Sequence, residues 1–329
     1  MNKVIRWILA SMVLLLFIMG NTVLAADRLP SKIRIIVPGG PGGGWDTTAR
    51  ETAKVLLAIK TFRSIDIQNI PGAGGGKGIK ALINEGKGRN NLILVNSTPI
   101  LLRYLNKTFP ESFRDLTPLA ATIADFQAIA VRMDSPFQSL KDLGDAMKKK
   151  PGTIAIAGGS SPGSMDHIST AMVLEGRGVS WRDWNYVPAA KGGGDAMTML
   201  LASKHIHGLS TGASEVIGQM EAGKIRVLCI TSSKRLSGSL ASVPTGIEQG
   251  FKATFVNWRG FFGPPGMSKS VRDAYAGVFE EMQKTAEWEE VRAKYGWANN
   301  LIPGDKFYSF LEKEETKMKK LLIDMGFMK

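Results

Sequence analysis

Residues 33–46 read IRIIVPGGPGGGWD, a short apolar run that leads directly into a loop of glycine and proline. The run at 33–37 is rich in β-branched side chains and predicts a buried strand. From residue 46 to about 57 apolar residues recur at helical spacing, so the loop joins a strand to a helix. In an open α/β sheet such a loop lies at the carboxyl end of its strand, where ligands bind.

Two further glycine-rich loops lie between a strand candidate and a helix candidate. They read PGAGGGKG at residues 71–78 and GGSSPGSMDH at residues 158–167. Glycine lets the backbone approach a ligand closely, and the N-terminus of the following helix offers free N–H groups and a positive dipole end. Together the three loops predict an anion-binding site that needs few charged side chains.

Strand and helix candidates alternate along the rest of the chain. The strand candidates are residues 33–37, 65–70, 92–95, 126–131, 154–157 and 225–230. The helix candidates are residues 46–57, 79–84, 140–149, 165–175, 195–201, 215–222, 269–285 and 305–325. This alternation predicts an α/β fold with mainly parallel sheets.

Segments near residues 121–126 and 251–258 are interpreted as crossovers between two parts of the chain. We therefore predict two Rossmann-like α/β domains joined by a hinge at these crossovers. The first domain combines residues 26–123 with 253–329, and the second comprises residues 124–252.

The N-terminal segment, residues 1–25, has the organisation of a secretory signal peptide. Two basic residues, Lys3 and Arg6, precede a short apolar stretch and a run of small residues. The apolar stretch is shorter than the roughly 20 residues that a membrane-spanning helix needs. We expect cleavage after Ala25 or Ala26 and export of the mature chain.

The chain of 329 residues has 42 Lys and Arg against 29 Asp and Glu, which gives a formal charge of +13. This excess favours an anionic partner. Basic residues do not alternate with aromatic ones, which argues against nucleic-acid binding. Cys229 is the sole cysteine, so no internal disulfide forms, and His205 and His207 have no neighbouring cluster of metal ligands. We expect no metal site.

The glycine loops do not match the nucleotide-binding fingerprints. A dinucleotide site needs glycines at positions i, i+2 and i+5, but the third position here is Trp45, Lys77 or Ile79. A phosphate-binding loop needs Ser or Thr after its Gly-Lys pair, whereas Gly78 follows Lys77. The sequence therefore predicts no cofactor.

Residues 159–163 match the G-x-S-x-G pattern of a hydrolase nucleophile elbow, with Ser161 at its centre. Acid and base candidates follow in the hydrolase order at Asp183, Asp195, His205 and His207. In that elbow the residue after the serine donates its N–H to the oxyanion, but Pro162 has no N–H. We favour binding without catalysis, with an exported serine hydrolase as the alternative. His167, in the same loop, either donates to a carboxylate or caps the turn.

Short motifs follow one another along the chain: PGGGWD at 41–46, PGAGG at 71–75, GSMDH at 163–167, AGKIRVL at 222–228 and NWRG at 257–260. In kind and order they resemble motifs of the tripartite tricarboxylate transporter substrate-binding family, the TctC or Bug type. The resemblance covers the whole chain after the signal peptide.

The resemblance implies a two-lobe periplasmic binding protein of the Venus flytrap type that closes on a small carboxylate. It implies a monomer that delivers this ligand to a cation-driven carrier with a large and a small membrane subunit. In this family the first and third loops grip the carboxylate, partly through ordered waters, beside the loop at residues 96–98. The residues expected to bind the ligand are Gly39, Gly40, Pro41, Gly42, Gly43, Gly44, Trp45, Asp46, Ser97, Thr98, Gly159, Ser160, Ser161, Gly163, Ser164, His167, Lys191 and Gly192.

Departures from the family pattern bear on the ligand. Many members carry a pocket aspartate at the position of His207, which suits ligands with an amino group. Its absence favours a di- or tricarboxylate such as citrate. Residues 189–191 replace a more usual aromatic, and Lys191 there either contacts the ligand or is solvated. A module that presents the same ligand to a membrane sensor is a further alternative, because it uses the same pocket.

Overall fold

The computed structural model describes residues 29–189 and 191–328. The expected signal peptide and its cleavage point lie outside these ranges. Within them no helix is both long and apolar enough to cross a membrane. The strands are β1 (Lys32–Val37), β2 (Ser64–Asn69), β3 (Leu92–Ser97), β4 (Thr117–Arg132), β5 (Ala155–Gly158), β6 (Asn185–Pro188), β7 (Gly208–Gly212), β8 (Ile225–Ile230), β9 (Val256–Gly263) and β10 (Ala298–Pro303). The α-helices are α1 (Gly44–Ala58), α2 (Gly76–Gly86), α3 (Pro99–Leu105), α4 (Leu140–Lys149), α5 (Met165–Glu175), α6 (Gly193–Ala202), α7 (Ala213–Glu221), α8 (Lys269–Gln283), α9 (Ala286–Tyr295) and α10 (Gly304–Asp324).

The first lobe is a sheet with helices on both faces. Strands β2, β1 and β3 are parallel neighbours, and β9 extends the sheet antiparallel to β3 and then to β4. Helices α1, α8 and α9 cover one face, where Leu56, Phe279 and Trp288 are buried in one core cluster. Helices α2 and α3 cover the other face with Leu82 and Leu101. Burial on both faces explains why β1 and β3 are nearly continuous apolar runs.

The second lobe repeats this layering. Strands β6, β5 and β7 are parallel, and β7 and β8 both pair antiparallel with β4. Leu143 of α4 and Ile168 of α5 lie in the core on one face. Leu200 of α6 and Val216 of α7 lie in the core on the other. The predicted two-lobe α/β architecture is confirmed, but the prediction of mainly parallel sheets is wrong, because β4 and β9 pair antiparallel with their neighbours and make each sheet mixed.

Strand β4 belongs to both sheets. Its residues from Thr117 to Phe126 pair with β9 of the first lobe, and from Gln127 onward they pair with β7 and β8 of the second. The change of partners falls close to the expected boundary at residue 123. The division of the chain into domains at these crossovers stays a prediction.

The last helix, α10, contacts both lobes. Phe307 and Leu311 near its start lie in the core of the first lobe. Met318 and Leu322 near its end lie in the core of the second. The expected first domain included all of residues 253–329, whereas the final turns of α10 are buried against the other lobe.

Candidate functional site

The three glycine-rich loops meet at one cavity between the lobes. Strands β1 and β3 of the first lobe and β5 and β7 of the second end beside it, as the carboxyl ends of parallel strands do in ligand-binding α/β sheets. The expected ligand-binding residues that line it are Gly39, Gly40, Gly43, Gly44, Trp45, Ser97, Gly159, Ser160, Lys191 and Gly192. Their contact with a ligand stays a prediction.

The remaining expected residues surround the cavity without lining it, and their contact with a ligand also stays a prediction. They are Pro41, Gly42, Asp46, Thr98, Ser161, Gly163, Ser164 and His167. The side chains of the two charged or titratable members of this set hold the loops in place.

Asp46 fixes the turn of the first loop. Its carboxylate accepts hydrogen bonds from Gly42 N–H at 2.9 Å, Arg50 Nε at 2.8 Å and Asn69 Nδ2 at 2.9 Å. Burial alone would raise the pKa of Asp46, but these hydrogen bonds, led by that of Arg50, lower it. Gly42 has a φ of 79°, a left-handed conformation that favours glycine. The carboxylate of Asp46 therefore holds the first loop in its turn.

His167 lies in an aromatic cluster behind the third loop. Its ring stacks on Tyr186 with 4.5 Å between centroids and has edge contacts with Trp184 and Phe327. Its Nδ1 accepts a hydrogen bond from Gly163 N–H at 3.1 Å. Burial lowers the pKa of His167 to about 4, so the ring is neutral at pH 7. Of the two roles considered for His167, holding the turn fits the structure.

The residues of the catalytic alternative are not brought together. Ser161 lies outside the cavity lining, and its carbonyl oxygen accepts a hydrogen bond from Ser164 N–H at 3.0 Å. His207 lies at the amino end of β7, away from the cavity, where its Nδ1 accepts from Ala155 N–H at 3.1 Å. Position 207 therefore supplies no pocket residue, and the missing aspartate there does not limit the ligand. In the described ranges no cluster of three or more His, Cys, Asp or Glu side chains could hold a metal ion.

Trp45 and Ser97 join the first loop to the end of β3. The indole Nε1–H of Trp45 donates to Ser97 Oγ at 2.9 Å. The guanidinium carbon of Arg103 lies 5.5 Å from the centroid of the Trp45 ring. The indole therefore forms a fixed wall between the first loop and a buried cation.

Three helices begin at residues that line the cavity. Gly44, Met165 and Gly193 are the first residues of α1, α5 and α6. The N-terminus of a helix carries partial positive charge, so the cavity favours an anionic group. Residues 72–75 of the second loop also line it, although they were not among the residues expected to bind the ligand.

Glu215 reaches from the second lobe to the first and was missed by sequence reasoning. Its Oε1 accepts the Gly44 N–H at 2.5 Å. Its Oε2 accepts the Gly212 N–H at 3.2 Å and the Thr211 hydroxyl. A carboxylate of one lobe thus satisfies the first amide of α1 in the other. A Glu at the third position of a helix is a capping-box signal, but that signal does not reveal the contact with the other lobe.

Two further charged residues of the cavity wall, Arg103 and Asp166, were also missed. Arg103 is only 5% exposed, and its Nε donates to Ser164 Oγ at 3.2 Å. Burial lowers the pKa of Arg103 to about 10, against the opposing effect of Asp166, so the guanidinium is charged at pH 7. Burial raises the pKa of Asp166 to about 7, and the negative charge of Glu215 adds to this rise.

A buried ion pair joins the crossover strands beside the cavity. Arg259 Nη2 on β9 lies 2.5 Å from Asp125 Oδ2 on β4. Arg259 Nη1 donates to the carbonyl oxygen of Gly44 at 2.8 Å and to Thr48 Oγ1 at 2.9 Å, and the Ser214 hydroxyl donates to Asp125 at 2.9 Å. The pair therefore connects both crossovers to α1 of the first lobe and α7 of the second.

Comparison with known proteins gives the same picture. Residues 49–327 match the model of the tripartite tricarboxylate transporter family receptor, TctC. The protein BugT of Bordetella pertussis is 28% identical over 253 residues, which are 75% of each chain. Two solved structures share the fold. Rpa4515 of R. palustris with adipate has a TM-score of 0.80 and 21% identity over 91% of this chain and 99% of that one. MatC from Rhodopseudomonas palustris with bound malate has a TM-score of 0.76 and 17% identity over 89% and 100%.

The matched family and its structural neighbours are solute-binding receptors and not enzymes. The matched region spans both lobes and includes the second and third glycine-rich loops, whereas the first loop lies just before it. This chain belongs to the TctC family, the periplasmic receptors of tripartite tricarboxylate transporters.

Proposed function

We propose that this receptor captures a small carboxylate between its lobes, and that the ligand is a di- or tricarboxylate such as citrate. The proposal depends on one observation, the convergence of the first residues of α1, α5 and α6 on a cavity that also holds the buried Arg103. Helix N-termini and a guanidinium both stabilise negative charge. The presence of malate in MatC and of adipate in Rpa4515 supports a ligand of this class.

The cavity also contains two acidic residues, yet neither favours a cationic ligand strongly. Both oxygens of Glu215 accept hydrogen bonds from the protein itself. Asp166 accepts from Gln127 Nε2 at 3.1 Å, and its pKa of about 7 leaves it only partly ionised at neutral pH. The cations Arg103 and Lys191 are therefore the charges most available to a ligand, which favours an organic acid over an amino acid.

We further propose that the mature chain, after removal of residues 1–25, acts in the periplasm as a monomer. It delivers the ligand to a cation-driven carrier with a large and a small membrane subunit, a role that membership of the family supports. The lobes close by bending at β4 and β9, where Asp125 and Arg259 form their ion pair.

The test is a thermal-shift screen of the mature chain from Ala26 against malate, adipate, citrate, their monocarboxylate analogues and a set of amino acids. A ligand at about 100 times its dissociation constant adds about 2.7 kcal/mol to the free energy of unfolding. We expect an increase in Tm of several degrees with at least one di- or tricarboxylate. A response to amino acids alone would contradict the proposed ligand class.

A variant that fills the cavity locates the binding site. Gly43 has a φ of −78°, which other residues adopt without strain. An added Cβ would lie 3.5 Å from Gly40 O and 4.0 Å from Glu215 Oε1, so the Cβ of a side chain has room there. Gly43→Leu then extends into the cavity and should abolish the thermal shift. Gly218→Leu is the matched control, because Gly218 is exposed on α7 with nothing within 4 Å of an added Cβ. A shift that survives in Gly43→Leu would place the ligand elsewhere.

A further inference from the structure

Arg103 is a buried cation that lines the cavity with most of its hydrogen-bonding capacity unused. It lies on α3 and is 5% exposed. Within residues 29–189 and 191–328, its guanidinium makes one hydrogen bond, from Nε to Ser164 Oγ, and no ion pair within 4.0 Å. The two Nη groups thus remain for a partner, and their planar fork matches the two oxygens of a carboxylate.

The second glycine loop is built around this side chain. A Cβ on Gly74 would lie 3.0 Å from Arg103 Cδ and 3.2 Å from both Nε and Nη1, and a Cβ on Gly75 would lie 3.5 Å from Nη1. Both glycines have positive φ, 62° and 101°, so the loop turns sharply where it passes the guanidinium. Trp45 flanks the same group, with its ring centroid 5.5 Å from Cζ. The loop and the indole therefore hold the guanidinium in one place.

The unpaired charge of Arg103 indicates a counter-ion from outside the chain. A buried charge is costly unless it is paired, and Asp166, the acid whose charge acts on Arg103, forms no ion pair with it. By contrast, the other buried arginine of the cavity, Arg259, has its own carboxylate in Asp125 at 2.5 Å. The same wall thus holds one guanidinium that is paired with a carboxylate and one that lacks its counter-ion.

We propose that Arg103 pairs with one carboxylate of the ligand while the helix N-termini take another, so that the receptor selects dicarboxylates over monocarboxylates. This inference rests on the proposed function and assigns the specificity to one residue. Glu215 already accepts the first amide of α1, whereas α6 begins at Gly193 on the cavity wall, which Lys191 also lines, and this end of the cavity offers a second place for negative charge. A monocarboxylate fills only one of the two places.

The experiment measures Kd by titration calorimetry for two matched pairs, adipate with hexanoate and malate with 3-hydroxybutanoate. We expect wild type to bind the diacid of at least one pair about 100-fold more tightly than the monoacid, as for loss of a buried charge pair. In Arg103→Met this ratio should fall close to 1. Arg103→Lys, which keeps the charge without the fork, should recover part of it.

Two controls separate recognition from structure. Arg114→Met removes an arginine that pairs with Glu315 outside the cavity and should leave the ratio unchanged. Arg103→Met should also raise the Tm of the ligand-free protein, because it removes an uncompensated buried cation, whereas a structural arginine would lower it. A diacid preference that persists in Arg103→Met overturns the inference and leaves the proposed function standing. Wild type that binds monoacids or amino acids as tightly as diacids also overturns it, and wild type that binds no acid contradicts both proposals.

Discussion

Replacing Gly159 by alanine tests how tightly the third loop is held against the residues that precede α6. A Cβ on Gly159 would lie 2.2 Å from Gly193 N, 2.4 Å from the carbonyl carbon of Gly192 and 2.8 Å from Gly193 Cα. Ordinary contacts of a Cβ begin at 3.4 Å, so the two segments must separate by about 1.2 Å, which is 3.4 minus 2.2. Every contacting atom belongs to the backbone, and no side-chain rotation relieves the clash.

The expected loss of stability follows from that overlap. Overpacking a well-packed site costs about 1–3 kcal/mol, and a clash with rigid backbone places Gly159→Ala near the upper limit. At about 2–4 °C per kcal/mol, a loss of about 3 kcal/mol should lower the Tm by roughly 6–12 °C. Because Gly159, Gly192 and Gly193 all line the cavity, the same displacement should weaken carboxylate binding.

Gly194→Ala is the matched control one residue further along. Gly194 is exposed within α6 and has nothing within 4 Å of an added Cβ. Alanine in a helix is more favourable than glycine by about 0.5–1 kcal/mol, so this Tm should rise slightly. Differential scanning calorimetry of both variants measures the contrast. A Gly159→Ala protein with the same Tm as wild type would refute the close approach of the two loops.

Three other changes have defined outcomes. Asp125→Asn leaves the guanidinium of Arg259 buried without its carboxylate and should lower the free energy of unfolding in urea by about 3–5 kcal/mol; a loss below about 1 kcal/mol would argue that the pair is solvated. The folded-state pKa of Asp166 is about 7 against an ordinary 3.8, so the stability associated with its protonated form is complete below about pH 4 and is lost as pH rises through 7. Asp166→Asn should remove that decline from a plot of Tm against pH, and an unchanged decline would assign it to other groups. Trp45→Phe removes the hydrogen bond to Ser97 Oγ and should lower the free energy of unfolding in urea by about 1 kcal/mol. A Trp45→Phe variant as stable as wild type would show that this bond contributes nothing.

Local signals explain which elements could be predicted from the sequence. The candidates at 140–149 and 165–175 coincide with α4 and α5, because Ser139 and Asp142 form a capping box and Ser164 precedes α5. The first half of β4 was missed, since it is buried on both faces and rich in alanine, which gives no alternating pattern. Helix α9 was missed because it follows α8 after only two residues and shows little amphipathic contrast.

The residues of the candidate site also fall into those that a local sequence signal reveals and those that it does not. The backbone loops at residues 39–44 and 159–160 could be located, because a strand, a glycine run and a helix are adjacent in the chain. Arg103 and Glu215 could not, since each lies on a helix whose side chains reach the cavity only after distant elements have packed. The role of His167 depends on Phe327, 160 residues later in the chain, and no local pattern signals that contact.

The path of α10 has a consequence for how the molecule unfolds. Two lobes with separate cores could melt as two independent units, each with its own transition. Here a single helix places Phe307 in one core and Leu322 in the other, so neither core keeps its full set of contacts once α10 detaches. The lobes should therefore lose structure together, in one cooperative transition whose denaturant sensitivity reflects the surface of the whole chain.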